Sequence, residues 1–259
     1  LEHEKETWKE VYLSRISQAK ERRLPSRFGE WYAPPHMTRK RLRAVMFGPH
    51  GSGKRTHTAL LAAAFDVPLI QAGDLLHDEI MEQTAVGKLV RPYVEQGMLV
   101  PDDLLNPLIV KRVRRLVTQE KGFVLEGYPR NVEQASALER VCKVQVAVHL
   151  KLSDEAAWKR VQGRRECPAC RAVFHLDRVP PGELETCLAC GQGLQGRATD
   201  REEAFMSRQA VYHFMTEPLI AFYRRRGVLL SIKADQVVED LQTELQKKLQ
   251  RLGFVLRPG

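Results

Sequence analysis

Apolar and polar positions fall into two alternating patterns between about residue 43 and residue 252. Short, nearly continuous apolar runs at 44–48, 67–70, 122–126, 144–152 and 228–233 predict strands buried on both faces. Longer stretches between them repeat apolar residues every three or four positions. These predict helices near 53–65, 74–84, 88–97, 102–119, 131–141, 154–163 and 200–226, with a last helix at 235–252. Such alternation predicts an α/β domain with a parallel sheet covered by helices on both faces. Residues 164–198 interrupt it and read as an inserted module.

A different pattern precedes the domain. Trp8, Val11, Tyr12, Ile16 and Ala19 lie on one stripe, predicting an amphipathic helix over 4–23. Pro25, Gly29, Pro34 and Pro35, mixed with Phe28, Trp31 and Tyr32, predict an extended connector over 24–37.

The first strand runs into Gly48-Pro49-His50-Gly51-Ser52-Gly53-Lys54-Arg55-Thr56. An apolar strand, a glycine loop and a lysine opening a helix together make a phosphate-binding loop. Backbone N–H groups can curl round an anion only where side chains do not intrude, and the helix N-terminus adds positive dipole. Lys54 then reaches the phosphate as a point charge.

The inserted module holds Cys167-Pro-Ala-Cys170 and Cys187-Leu-Ala-Cys190, two C-x2-C pairs separated by 16 residues. This spacing suits a structural, four-coordinate zinc site. Two disulfides are the alternative; the scarcity of other cysteines favours metal. Cys142, the fifth cysteine, is expected to be a buried apolar residue.

Composition adds bounds. The 259 residues are 43% hydrophobic, enough for a core, and no apolar run reaches the ~20 residues of a membrane span. The net charge is +9. Residues 1–43 hold 11 Lys/Arg against 6 Asp/Glu, a net of +5. That basic extension is expected to meet a protein partner through residues 1–38, or RNA or an anionic membrane through its cations. Packing on its own domain and plain solvation are the alternatives. The chain opens on Leu1 rather than Met, the expectation for a processed product. With thiols free for zinc, this predicts the mitochondrial matrix, or otherwise the cytoplasm or another reducing compartment.

Several further segments stand in a telling order: Gly73-Asp74-Leu75-Leu76, Gly97-Met98-Leu99-Val100-Pro101-Asp102, Gly122-Phe123-Val124-Leu125-Glu126-Gly127-Tyr128-Pro129-Arg130 with Gln134, Gly163-Arg164-Arg165 to Arg197, Arg208, and Thr216-Glu217-Pro218-Leu219-Ile220. With the loop at 48–56, the chain from about Arg43 to Leu249 resembles the adenylate kinases with a long, zinc-bearing lid. The resemblance implies a five-stranded parallel sheet of P-loop NTPase type. It implies a domain over 43–253, with a nucleoside-monophosphate arm at about 72–102 and a lid at about 164–198, between the extension 1–42 and a tail 254–259. It also implies Mg2+-dependent transfer of the ATP γ-phosphoryl group to AMP.

The roles carried over are as follows. Lys54, Arg130, Arg164, Arg197 and Arg208 are the catalytic cations. Gly48, Gly51, Ser52, Gly53, Lys54, Arg55, Thr56, Arg160 and Arg164 bind ATP. Ala72, His77, Val100, Gly127, Arg130, Gln134, Arg197 and Arg208 bind AMP, and Thr56 and Glu126 stand near Mg2+. Cys167, Cys170, Cys187 and Cys190 bind zinc.

Five positions depart from the family pattern: His77 for arginine, Ala72 for Thr or Ser, Glu126 for Asp, Arg55 for glycine and Thr199 for an acid, with Asp200 retained. They leave two expectations. One is an active nucleoside monophosphate kinase, its donor ATP or GTP. The other is a catalytically weakened subunit kept as a nucleotide-binding or structural part of a larger, RNA-containing assembly.

Overall fold

The computed structural model describes residues 40–96, 98–170, 172–176, 185–196 and 200–257. The expected helix at 4–23 and the connector at 24–37 lie outside the described residues, as do Arg197 and Thr199. The elements, in order, are β1 (Arg43–Phe47), α1 (Lys54–Phe65), β2 (Leu69–Gln71), α2 (Ala72–Met81), α3 (Ala85–Glu95), α4 (Asp102–Thr118), β3 (Phe123–Glu126), α5 (Val132–Val141), β4 (Val146–Lys151) and α6 (Asp154–Gln162). Then follow β5 (Arg164–Glu166), β6 (Val173–His175), α7 (Glu202–Val211), α8 (Pro218–Arg225), β7 (Leu229–Lys233) and α9 (Val238–Arg251).

Five strands form one sheet in the order β2-β3-β1-β4-β7, every pair parallel. Alternate side chains feed two cores. Val45, Phe47, Phe123 and Leu125 enter the core beneath α4, α5 and α8; Ala44, Met46 and Val124 enter the one with Leu61, Leu241 and Leu245 from α1 and α9. A sheet buried on both faces accounts for strands that read as continuous apolar runs. Phe254, just beyond α9, is buried and pairs with Lys40 ahead of β1.

Two excursions leave this frame. The first is the helical pair α2–α3. A Cβ on Gly87 would sit 1.9 Å from the Glu79 carbonyl oxygen, so glycine there allows the two helices to touch. Thr84 caps α3 by accepting from the Gly87 N–H at 2.9 Å. The second is the insertion, where β5 and β6 pair antiparallel and Glu166 also bridges to Gln195.

The structure corrects one predicted element. The helix expected over 200–226 is three pieces: α7, a π-helical turn at Tyr212–Thr216, and α8 beginning at Pro218. Pro218 has no N–H to continue the ladder, and the wider turn absorbs the break. That turn carries Tyr212 to His149, with the hydroxyl 3.0 Å from Nε2. It also lets the Thr216 hydroxyl donate to the Arg130 carbonyl at 2.8 Å. The arm helices begin earlier than their apolar periodicity indicates, at Ala72 rather than 74 and at Ala85 rather than 88.

Candidate active site

Parallel strands bring their C-terminal ends to one edge of the sheet, where ligands of open α/β folds bind. The loop from β1 to α1 lies on that edge. Gly51 has φ 84°, and a Cβ there would lie 2.8 Å from the Ala157 carbonyl oxygen, so the loop runs against α6 with no room for a side chain. Ser52 is buried inside the loop, and its hydroxyl has no hydrogen-bond partner among the described residues. Lys54 curls back, its Nζ donating to the carbonyls of Gly48 at 2.9 Å and Pro49 at 2.7 Å. Burial lowers its pKa to about 8 against the attraction of Glu126; Arg130, Arg164 and Arg208 lower it further. Cations from three other parts of the chain therefore act on the Lys54 charge. Four cations gathered about one glycine loop, with Glu126 and Asp200 among them, suit an anion.

Arg164, at the entrance to the insertion, is held in place. Its Nε donates to Asp200 Oδ2 at 2.7 Å and its Nη2 to Oδ1, a two-point guanidinium–carboxylate pair. The same Nη2 lies 3.2 Å from Nε2 of His50, inside the phosphate loop. Burial pushes the Asp200 carboxyl up, but hydrogen bonds from His50 and Arg164 and the Arg164 charge reverse this and hold it at about 2. Burial outweighs the Asp200 bond at His50 and lowers that ring to about 4, so it is neutral at pH 7. The His50 N–H donates to Gln209 Oε1 at 2.9 Å, which fixes α7, and with it Arg208, against the loop. Arg160 donates to the Gln236 carbonyl at 3.3 Å, at the end of β7.

The other side of the cleft is built on β3 and α2. Glu126 closes β3, and Arg130 follows four residues later. Arg130 is tied by its backbone: its N–H donates to Gln134 Oε1 at 2.7 Å, and its Nε donates to the Gly127 carbonyl at 2.9 Å. Gln134 Nε2 donates to Asp102 Oδ1 at 2.6 Å, and Asn131 Nδ2 donates to the second Asp102 oxygen at 3.0 Å. The Gln134 amide is thus buried in an internal network that fixes the Arg130 segment to α4. Ala72 is buried at the start of α2, its Cβ 3.3 Å from where a Cβ on Gly127 would stand. Val100 is buried at the foot of the arm. His77 is half-buried on α2, one turn past Asp74. Arg55 does not fold over the phosphate loop. Its guanidinium crosses to the arm and pairs with Asp74, with Nη1 and Nη2 each 3.2 Å from Oδ1. Thr56 is exposed on the first turn of α1.

In the insertion, the four Sγ atoms of Cys167, Cys170, Cys187 and Cys190 lie within 4.8 Å of one another. Cys167 and Cys190 approach to 3.4 Å, Cys170 and Cys187 to 3.5 Å. A disulfide requires about 2.05 Å; edges near 3.8 Å are those of a tetrahedron with Zn–S bonds of about 2.3 Å. All five cysteines are free thiols, Cys142 buried as expected. The Cys170 N–H points at Cys167 Sγ from 3.5 Å, and that bond leads the causes that lower the Cys167 thiol to about 6. Cys170 and Cys190, hydrogen-bonded within the same cage, are raised instead, so the convergence of four sulfurs, not their acidity, is what fits a metal.

The sequence reading passed over His50, Asp102, Asn131 and Gln209. Each acts by holding another residue rather than by matching a motif. His50, a bulky ring inside a glycine loop, and Asp102, the last residue of the Gly97–Asp102 segment, did stand in readable motifs, though with no role attached.

A family profile described as "Adenylate kinase" matches residues 46–228. Adenylate kinases of known standing are similar over most of their length. That of Thermoanaerobacter pseudethanolicus is 35% identical over 213 residues, 80% of this chain and 98% of the relative. That of Thermococcus kodakarensis is 35% identical over 210 residues, 79% of this chain and 92% of the relative. That of Petrotoga mobilis is 36% identical over 209 residues, covering 79% and 95%.

Proposed function

The chain belongs to the adenylate kinase family, and from that premise we propose that it transfers the γ-phosphoryl group of ATP to AMP, giving two ADP. The observation that carries this reading is the convergence of Arg130, Arg164 and Arg208 on the charge of Lys54. Phosphoryl transfer needs little covalent help from protein. It needs two phosphates held in line and positive charge around a transition state whose negative charge is spread over several oxygens.

ATP lies along the loop Gly48–Gly53, its phosphates meeting backbone N–H groups and the Ser52 hydroxyl. Lys54 leaves its two carbonyl partners for the β- and γ-phosphates, an exchange of neutral acceptors for a charged one. Arg160, Arg164 and Arg208 face the donor side. AMP enters against α2 and β3, with Arg130 on its phosphate and Ala72, His77, Val100, Gly127 and Gln134 around it. Arg197 adds a further cation from the insertion. Closure of that insertion over the cleft excludes water, so the γ-phosphoryl group reaches AMP and not solvent.

Two metals complete the reading. The Thr56 hydroxyl and the Glu126 carboxylate are hard oxygen donors suited to Mg2+, which supplies charge neutralisation to the bound triphosphate. The four-cysteine cage suits Zn2+, which supplies rigidity to an insertion whose described residues form no apolar core.

The test is to follow the label from γ-labelled ATP when the chain is mixed with Mg2+ and AMP. Label passing into ADP is the expected result. Label released only as inorganic phosphate would make the protein an ATPase and refute the reading.

A further inference from the structure

Helix α2 forms one wall of the acceptor side, yet its ten residues, Ala72–Met81, include no lysine or arginine. Its first polar side chains are Asp74 and, one turn on, His77. The guanidiniums beside it come from elsewhere. Arg130 approaches from β3: its Nη2 lies 3.8 Å from the Cβ position of Gly127, and the Ala72 methyl touches that position at 3.3 Å. Arg55 approaches from α1, gripping Asp74 at 3.2 Å. Two guanidiniums thus stand near the start of α2, neither carried by that helix.

We propose that Arg55 is a phosphate-binding residue for the acceptor nucleotide. In this view it leaves Asp74 and binds the phosphate of AMP together with Arg130. The inference rests on the reading that AMP is the acceptor. Three points support it. Arg55 directly follows Lys54, so its Cα is fixed at the junction of the donor loop and the acceptor wall. Its pair with Asp74 joins side chains 45% and 37% exposed, and such ion pairs are weak enough to exchange. A phosphate dianion, with more charge and three acceptor oxygens, is the stronger partner for a planar guanidinium. Asp74 then serves as the resting place that keeps the Arg55 side chain extended toward the arm.

The test is calorimetric titration of the full chain with AMP, ATP and adenosine, each alone, for the wild type, Arg55→Met and Asp74→Asn. Arg55→Met should weaken AMP binding about tenfold or more, the value of one lost charge-assisted contact. Any loss for ATP, whose loop the resemblance also assigns to Arg55, should be much smaller than the loss for AMP, and adenosine should be unchanged. Asp74→Asn should bind AMP at least as tightly as the wild type, because the guanidinium is released. Unchanged AMP affinity in Arg55→Met overturns the proposal, as does an equal loss for ATP and AMP, which would assign Arg55 to the donor loop. A parallel loss for adenosine overturns it too, because it would mean a distorted arm. A wild type that binds ATP but no AMP removes the acceptor reading itself, and this inference with it.

Discussion

The two walls of the cleft are built in opposite ways. On the donor wall Lys54, Arg160 and Arg164 are each held by a side-chain hydrogen bond. Lys54 rests on two loop carbonyls, Arg164 is gripped by Asp200, and Gln209 pins α7 to the loop. On the acceptor wall most of the ties are to backbone, with the Arg130 Nε also held by the Gly127 carbonyl. Gln134, Asn131 and Thr216 fix the segment of Arg130, while α2 offers no cation and borrows Arg55 from the neighbouring helix. A triphosphate presents several charges along a fixed track, so its cations can be prearranged. A monophosphate meets a wall whose first helix has no cation of its own, and a guanidinium on a weak pair can turn to it. Rigidity of charge on one side and exchangeability on the other is the lesson of the contrast.

The harshest break is Lys54→Ala. It removes the loop cation on which Arg130, Arg164 and Arg208 act and should lower kcat about 10²–10³-fold, as measured by coupled ADP formation. Far-UV circular dichroism should be unchanged, since Lys54 bonds only to its own loop.

Next is the cage. Chelation of the metal, or Cys170→Ser with Cys187→Ser, should free the insertion and lower Tm by about 5–10 °C, a loss of roughly 2–3 kcal/mol. Metal analysis of the native protein should return one zinc per chain. A protein free of zinc, with an unshifted melting curve, would contradict the assignment.

Asp200→Asn sharpens the contrast by loosening one donor cation and leaving the acceptor wall alone. KM for ATP should rise a few-fold and KM for AMP stay put. The same residue gives a pH signature. Its folded pKa, about 2, lies below the usual carboxylate value of about 3.9. The stability it contributes is therefore complete above about pH 4 and is lost as pH falls toward 2. Urea midpoints at pH 5 and pH 3 should converge in the Asn variant more than in the wild type.

The smallest effect is a proton. Lys54, with a pKa near 8, is about half deprotonated at pH 8, and triphosphate beside it restores the charge. ATP binding at pH 8 should then take up about half a proton, and at pH 6.5 almost none. Calorimetry in two buffers of different ionisation enthalpy reads this directly.

Much of this was legible in the chain. The strands were readable because a sheet buried on both faces leaves uninterrupted apolar runs, and the phosphate loop because only glycine fits against Ala157. The cage was readable because two C-x2-C pairs leave few other arrangements. The broken helix at 212–218 was not, since its cause is one proline inside a helical period. The Asp200–Arg164–His50 and Asp102–Gln134 contacts were hidden for another reason. Each joins residues more than 30 positions apart, or an insertion to a loop, and nothing local encodes such a meeting. The reach of Arg55 toward Asp74 was equally hidden; sequence placed the residue in the loop, and only the fold shows it facing the arm.

The account is tested most directly by initial rates of ADP formation with Mg2+, varying ATP and AMP independently. It predicts turnover that requires both nucleotides, with KM for AMP above KM for ATP, because the acceptor wall must assemble its cations on binding. ADP formed without AMP, or no ADP at all from a chain that binds both nucleotides, would contradict it.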